Sequence, residues 1–156
     1  MTETKRITIA ASDIKQIGEE GEFEAVIATL GVVDSDGDII MPGAFDDATV
    51  SIVPAHNHGS VPLGKAKMSD RGDKAVATGR FNLDIQPGKE WHKALKFDVD
   101  NPPSVQEWSF GFFVKDSEQE TRDGEPVRVL KKMDVMEISP VLRGAGVDTV
   151  SLVSRS

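Results

Sequence analysis

A mostly β fold with a few helices is what the sequence predicts, an α+β single domain spanning residues 1–156 and built as a β-barrel or sandwich. Three observations carry that expectation. Apolar segments are short and are repeatedly cut by Gly, Asp, Asn and Pro, the punctuation of strands joined by tight turns. Only one long stretch has a helical period. A chain of 156 residues is long enough to bury one core without disulfides or a structural metal.

Taken in order, the expected strands are Arg6 to Ala10, Phe23 to Val33, Ile52 to Ala55, Leu63 to Met68, Lys74 to Leu83, Val105 to Val114, Val127 to Val135 and Val147 to Val153. The exception is PGKEWHKALKFDVDNP. It opens with Pro87-Gly88, sets Trp91 and Leu95 on one helical face and stops before Pro102, which predicts a helix over Gly88 to Phe97. A second short helix is expected after Pro42, where Ala44, Phe45 and Ala48 recur at helical spacing. Residues 1–5 are expected to be mobile. Residues 115–126, the acidic stretch KDSEQETRDGEP, are expected to form an exposed hairpin.

Composition narrows the function. The balance of 18 basic against 26 acidic residues gives a net charge of -8, which disfavours nucleic acid and anionic membranes as partners. With no cysteine, thiolate metal sites, disulfides and cysteine nucleophiles are excluded. No apolar run approaches the roughly 18 residues of a membrane span, and MTETKRITIAASD lacks the apolar core of a secretory signal. The expectation is a soluble, cytoplasmic protein acting on a protein or small molecule.

Four stretches hold candidate chemistry. In VDSDGDIIMPGAF, Asp34, Asp36 and Asp38 alternate like the start of a calcium loop, but the twelfth position is Phe45 where a bidentate acid is needed. That favours an Asp-Gly turn with solvated carboxylates, and no metal or other cofactor is expected. In PAHNHGSVPLG, His56 and His58 would share one face of an extended segment, open to three readings: structural histidines, a zinc pair needing a third ligand such as His92, or a general base. Glu137 in KKMDVMEISPV shares the alternation of Met133 and Val135, which would set its carboxylate against apolar packing and demand a partner. Finally, EWSFGFF encloses Ser109 among four aromatic residues; Trp108, Phe110 and Phe112 alternate to one face, Ser109 and Gly111 to the other. Ser109 is either a core filler or a rigidly held nucleophile. It lacks the G-x-S-x-G pattern of a nucleophile elbow.

Four blocks in order, GVVDSDGDIIMPGAF, VPAHNHGSVPLGKA, EWSFGFF and MEISPVLRGAGVDTVSLV, resemble those of the prohead maturation proteases of tailed bacteriophages, the family typified by the HK97 prohead protease. Together they span about Gly31 to Val153. The resemblance implies a β-barrel of the herpesvirus-protease type. It also implies a serine endopeptidase that cuts scaffold, or the scaffold-like region of the major capsid protein, and itself, inside the assembling prohead in the bacterial cytoplasm, with homo-oligomers possible.

By the same resemblance Ser109 is the nucleophile, His58 the general base and Glu137 the third member. Herpesvirus proteases carry a second histidine in that third place. An aspartate often follows the family's histidine, whereas Gly59 stands here, which keeps His56 open as the base. Arg143 and Gly144 in VLRGAG are oxyanion-hole candidates, a plain glycine turn being the alternative, and Gly111 would leave room for substrate. The rival functions are a non-catalytic capsid-binding barrel and a metal-dependent hydrolase using His56 and His58.

Overall fold

The computed structural model describes residues 3–8, 14–45, 49–53 and 61–142. Nine strands and one helix occur among them: β1 (Glu3–Thr8), β2 (Ile14–Ile17), β3 (Glu22–Thr29), β4 (Asp38–Ile40), β5 (Thr49–Ile52), β6 (Gly64–Arg71), β7 (Lys74–Phe81), α1 (Gln86–Asp100), β8 (Gln106–Arg122) and β9 (Glu125–Leu142). The strands form one curled sheet in the order β1-β8-β9-β5-β6-β7-β3-β2, and β4 pairs with β9 outside that path. The fold is thus mostly β with one helix.

Its spine is the long hairpin of β8 and β9. Asp123 and Gly124 both have positive φ (51° and 80°), the backbone of a tight turn whose twist matches the flanking strands. β9 is long enough to serve three neighbours. It lies antiparallel to β8, while Asp38–Ile40 joins it in parallel at Arg128 to Leu130 and β5 joins in parallel at Glu137 and Ile138.

The core collects on one face of this sheet. Phe23 stacks on Trp108 at 5.3 Å between ring centroids and meets Phe81 at 5.1 Å; Phe110 meets Phe45 at 5.6 Å and Phe112 at 5.5 Å. Helix α1 contributes Leu95 to this core and packs Trp91 beside it, the two residues its period had set on one face. Its first turn carries Pro87, whose missing N–H costs nothing there. It presses so closely on the preceding loop that a Cβ on Gly88 would lie 2.0 Å from the Asn82 carbonyl oxygen, so this position admits only glycine.

Several expectations are corrected. No helix follows Pro42 within the described residues: Gly43 adopts φ +87°, off the helical path, and a turn delivers Ala44 and Phe45 into the core. The strand expected over Phe23 to Val33 ends at Thr29, because Gly31 turns at φ +77°, and beyond the turn Val33 makes only an isolated bridge to Ile39. Strands β2 and β4 were too short to show a period in sequence. Val147 to Val153 lies outside the described residues.

Residues 3–5 are part of β1 rather than a loose end, and an ion cluster accounts for it. The Lys5 ammonium lies 2.7, 3.0 and 2.7 Å from the carboxylates of Asp34, Asp36 and Asp38, and Arg128 bridges Glu3 and Asp38. Asp38 is buried rather than solvated. The Asp34 carboxylate accepts from the N–H groups of Asp36 and Asp38, which shapes the turn around Lys5. Burial works against the charge on Asp38, but hydrogen bonds from Arg128 and Lys5 outweigh it and hold its carboxyl below the usual range. The Arg128 hydrogen bond does the same for Glu3. Burial likewise opposes the charge on Lys5, yet hydrogen bonds to Asp34, Asp38 and Asp36 raise its pKa.

The register of β8 on β9 contains a bulge next to the centre of the sheet. Phe110 stands opposite Ile138 and Gly111 opposite Glu137, but Phe112 stands opposite Val135, so Met136 is an extra residue on β9. Val135 and Ile138 both face the core, and Met136 is exposed. Glu137 therefore does not share the face of Val135, as simple alternation predicts. The bulge turns it to the opposite face.

Two outcomes follow from these contacts. Lys5→Ala leaves three carboxylates facing one another and should cost about 2–4 kcal/mol at pH 7, measured by urea unfolding. Because the Asp38 and Glu3 carboxyls titrate low in the folded state, their contribution is complete above the ordinary carboxylate range near pH 4 and is lost as pH falls through the depressed values. The gap between wild type and Lys5→Ala should accordingly close in acid. Deleting Met136 should leave a folded protein, destabilised by roughly 1–2 kcal/mol, because the remaining residues already alternate correctly. Deleting Val135 instead gives the same chain with Met in place of Val at that core position, so it should fold as well, within about 1.5 kcal/mol of the Met136 deletion.

Candidate active site

The site is built from the alternation of β8. With Trp108, Phe110 and Phe112 committed to the core, Glu107, Ser109 and Gly111 point to the other face of the sheet. Ser109 is nonetheless fully buried there, at 0% exposure. Across the seam, β9 sets Ser139 opposite Ser109 and Glu137 opposite Gly111. Ser139 is also at 0% exposure, and Glu137 is at 6%.

Four positions thus form a square on one face: Ser109 and Gly111 on β8, Ser139 and Glu137 on β9. Directly opposed residues of an antiparallel pair have Cβ atoms about 4.5–5.5 Å apart, so the three polar side chains are close neighbours. The fourth corner carries no side chain. The square is flanked by β5, where Ser51 stands opposite Glu137, and by β1, where Arg6 stands opposite Ser109 in the register. Beyond Ser51 the same row continues through Lys65 to Arg80, along a cleft of about 570 Å³.

Of the residues singled out in sequence, Ser109, Glu137 and Gly111 are brought together. His56 and His58 belong to residues 54–60, and Arg143 and Gly144 follow Leu142; all four lie outside the described residues. The flanks of those segments are fixed in the sheet. The Val53 N–H donates to the Ile138 carbonyl at 3.0 Å, the Leu63 N–H donates to the Ile52 carbonyl at 2.7 Å, and Leu142 pairs with Gln106.

Two buried polar residues of this face were not singled out in sequence. Glu107 precedes Ser109 by two positions on the same face and is buried. Ser139 is the second. The signal for both was available in the period of two, reading outward from Ser109 and Glu137.

The other candidate ligands have structural employment. The His92 Nε2 donates to the Gly18 carbonyl at 2.6 Å, and the ring packs on Phe81, so it is a satisfied core histidine. The Asp34, Asp36 and Asp38 oxygens converge within 4.8 Å of one another, as metal ligands would, but the Lys5 ammonium sits among them as the counter-charge. Among the described residues no helix is long and apolar enough to cross a membrane.

A search of curated proteins gives no match. Among solved structures, the fold is similar to the capsid assembly protease gp21 of bacteriophage T4, with a TM-score of 0.56 at 11% sequence identity, covering 91% of this chain and 99% of that one. Such low identity makes this a likeness of fold. Residues 7–156 match the caudovirus prohead serine protease family, to which this chain belongs.

Proposed function

We propose that this chain is the maturation endopeptidase of a phage prohead, a herpesvirus-type barrel that cleaves scaffold or the scaffold-like region of the major capsid protein, and itself, inside the assembling shell. The observation that carries the reading is the square on the β8–β9 seam. It pairs a buried serine with a buried carboxylate on one face, on rigid central strands, in a member of a serine protease family. The fold likeness to a phage capsid assembly protease supports the same role.

In this reading Ser109 is the nucleophile, His58 the general base and Glu137 the carboxylate that orients the base. The position of Val53 beside Ile138 supports a base delivered by residues 54–60, since Val53 directly precedes them in sequence and β9 alone lies between β5 and the strand of Ser109. His58 takes the Ser109 proton as Ser109 Oγ attacks the scissile carbonyl. It then protonates the leaving amine, and water repeats the sequence on the acyl-enzyme. Glu137 stabilises the imidazolium formed in each half-reaction. Backbone amides of Arg143 and Gly144, with the Arg143 charge, would hold the oxyanion; these residues follow Leu142 in sequence, the last residue of the strand that carries Glu137. Gly111 leaves the corner beside the nucleophile free for substrate backbone.

The complete burial of Ser109 supports an enzyme that is restrained until assembly. A substrate carbonyl cannot reach a hydroxyl with no exposed surface, so the state described here must open before acylation. Such restraint spares the scaffold before the shell is complete.

The test is co-expression of the chain with the major capsid protein or scaffold of its phage, comparing intact masses for wild type and Ser109→Ala. Discrete cleavage products that vanish in the variant, with its melting temperature retained, are the expected result. Equal cutting by both proteins would make Ser109 a core filler and overturn the assignment.

A further inference from the structure

The cleft of about 570 Å³ beside the square has Ser51, Lys65 and Arg80 in its walls. Ser51 stands opposite Lys65 in the register of β5 on β6, and Lys65 opposite Arg80 in that of β6 on β7. With Ser51 also opposite Glu137, and Glu137 opposite Gly111, these residues form one row on the face of Ser109. Two cations are thus set side by side in the cleft that leads away from the nucleophile.

Like charges directly opposite each other on paired strands are destabilising. The same hairpin carries a second such pair, Arg71 opposite Lys74, and there both charges are answered: Arg71 pairs with Glu24, and the Lys74 ammonium donates to the Thr29 hydroxyl at 3.2 Å. At Lys65 and Arg80 the answer is incomplete. Glu22 lies 3.6 Å from Arg80, and among the described residues no carboxylate forms an ion pair with Lys65. Glu20 and Asp84 also line the cleft, yet neither pairs with either cation. Nor does the backbone let the two cations part. A Cβ on Gly64 would lie 2.1 Å from the Arg80 carbonyl oxygen and one on Gly79 2.3 Å from the Lys65 carbonyl oxygen, so the glycines hold β6 tightly on β7. An exposed lysine alone is ordinary; a lysine locked beside an arginine, in a cleft and in the row of Glu137, lacks an anion.

We propose that Lys65, with Arg80 beside it, is a specificity-determining residue that binds an acidic side chain of the peptide substrate. The inference rests on the serine-peptidase reading of Ser109. In the sheet β9 and β5 lie between β8 and β6, so about 14 Å separates the strand of Ser109 from that of Lys65, a span that an extended peptide covers in about four residues. Allowing for the reach of both side chains, the acid stands about three to six residues from the scissile bond. An ammonium is a point charge without a fixed fork, so Asp and Glu serve alike.

The experiment co-expresses the chain with the major capsid protein of its phage, maps each cut by intact mass, and follows the rate at that site. Wild type, Lys65→Arg, Lys65→Ala, Lys65→Glu and Ser109→Ala are compared, with melting temperatures as the check on folding. In wild type an Asp or Glu should lie in that window, on the same side of the bond at every site. Lys65→Arg should cut at close to the wild-type rate and Lys65→Ala roughly 5-fold more slowly. In Lys65→Glu a like charge faces the acid, and cutting should slow on the order of 100-fold. Changing that substrate acid to Lys should slow wild type and restore most of the rate to Lys65→Glu. Wild-type rates in Lys65→Glu, cut sites without an acid in the window, or a charge swap that restores nothing would each overturn the inference while leaving Ser109 its role. Uncut substrate with wild type, or equal cutting by Ser109→Ala, would sink the peptidase reading and this inference with it.

Discussion

The alternation of Trp108, Phe110 and Phe112 into the core is the constraint on which the rest of the molecule depends. All three side chains are fully buried, and truncating one such ring typically costs about 3–5 kcal/mol. That energy fixes the phase of β8, because a slip of one residue would exchange its two faces. Ser109 is consequently placed by its neighbours rather than by contacts of its own. A serine on a flexible loop would have to be ordered at each turnover, whereas here the ordering comes with the fold.

The same logic extends to β9, with one interruption. Strict alternation from Met133 through Val135 would have carried Glu137 into the core, where an ionised carboxylate is costly unless paired. The extra residue Met136 turns Glu137 outward to the face of Ser109 and returns Ile138 to the core opposite Phe110. A bulge of this kind re-aims a side chain at the expense of one unpaired residue. Away from the seam, the cluster of Lys5 and Arg128 with four carboxylates anchors β1 along β8, so the strand carrying Ser109 is paired on both sides.

Much of this was legible in the sequence, and the failures have physical causes. The aromatic alternation in EWSFGFF identified the phase of β8 and hence the face of Ser109 and Gly111. The period of PGKEWHKALKFDVDNP marked α1, within three residues at each end, and the turn of the long hairpin at Asp123 and Gly124 falls inside the stretch KDSEQETRDGEP. The face of Glu137 was misread because a bulge is a property of a pair of strands, and one strand's sequence does not contain its partner's register. The Asp34, Asp36 and Asp38 trio was read as solvated for a related reason: its counter-ions, Lys5 and Arg128, are 33 and 90 positions from Asp38 in sequence. Glu107 and Ser139 were passed over although the period of two already set them beside the residues that had been noticed.

The chain holds three histidines, few enough for each imidazole to be followed separately by NMR. The most direct test of the account is to titrate them in wild type and in Glu137→Gln. A carboxylate paired with the base favours its charged form, so removing that charge should lower the His58 pKa by about one unit, with His56 not following. A His58 titration identical in the two proteins, or a shift at His56 in its place, would contradict the assignment of the Glu137 carboxylate to that base.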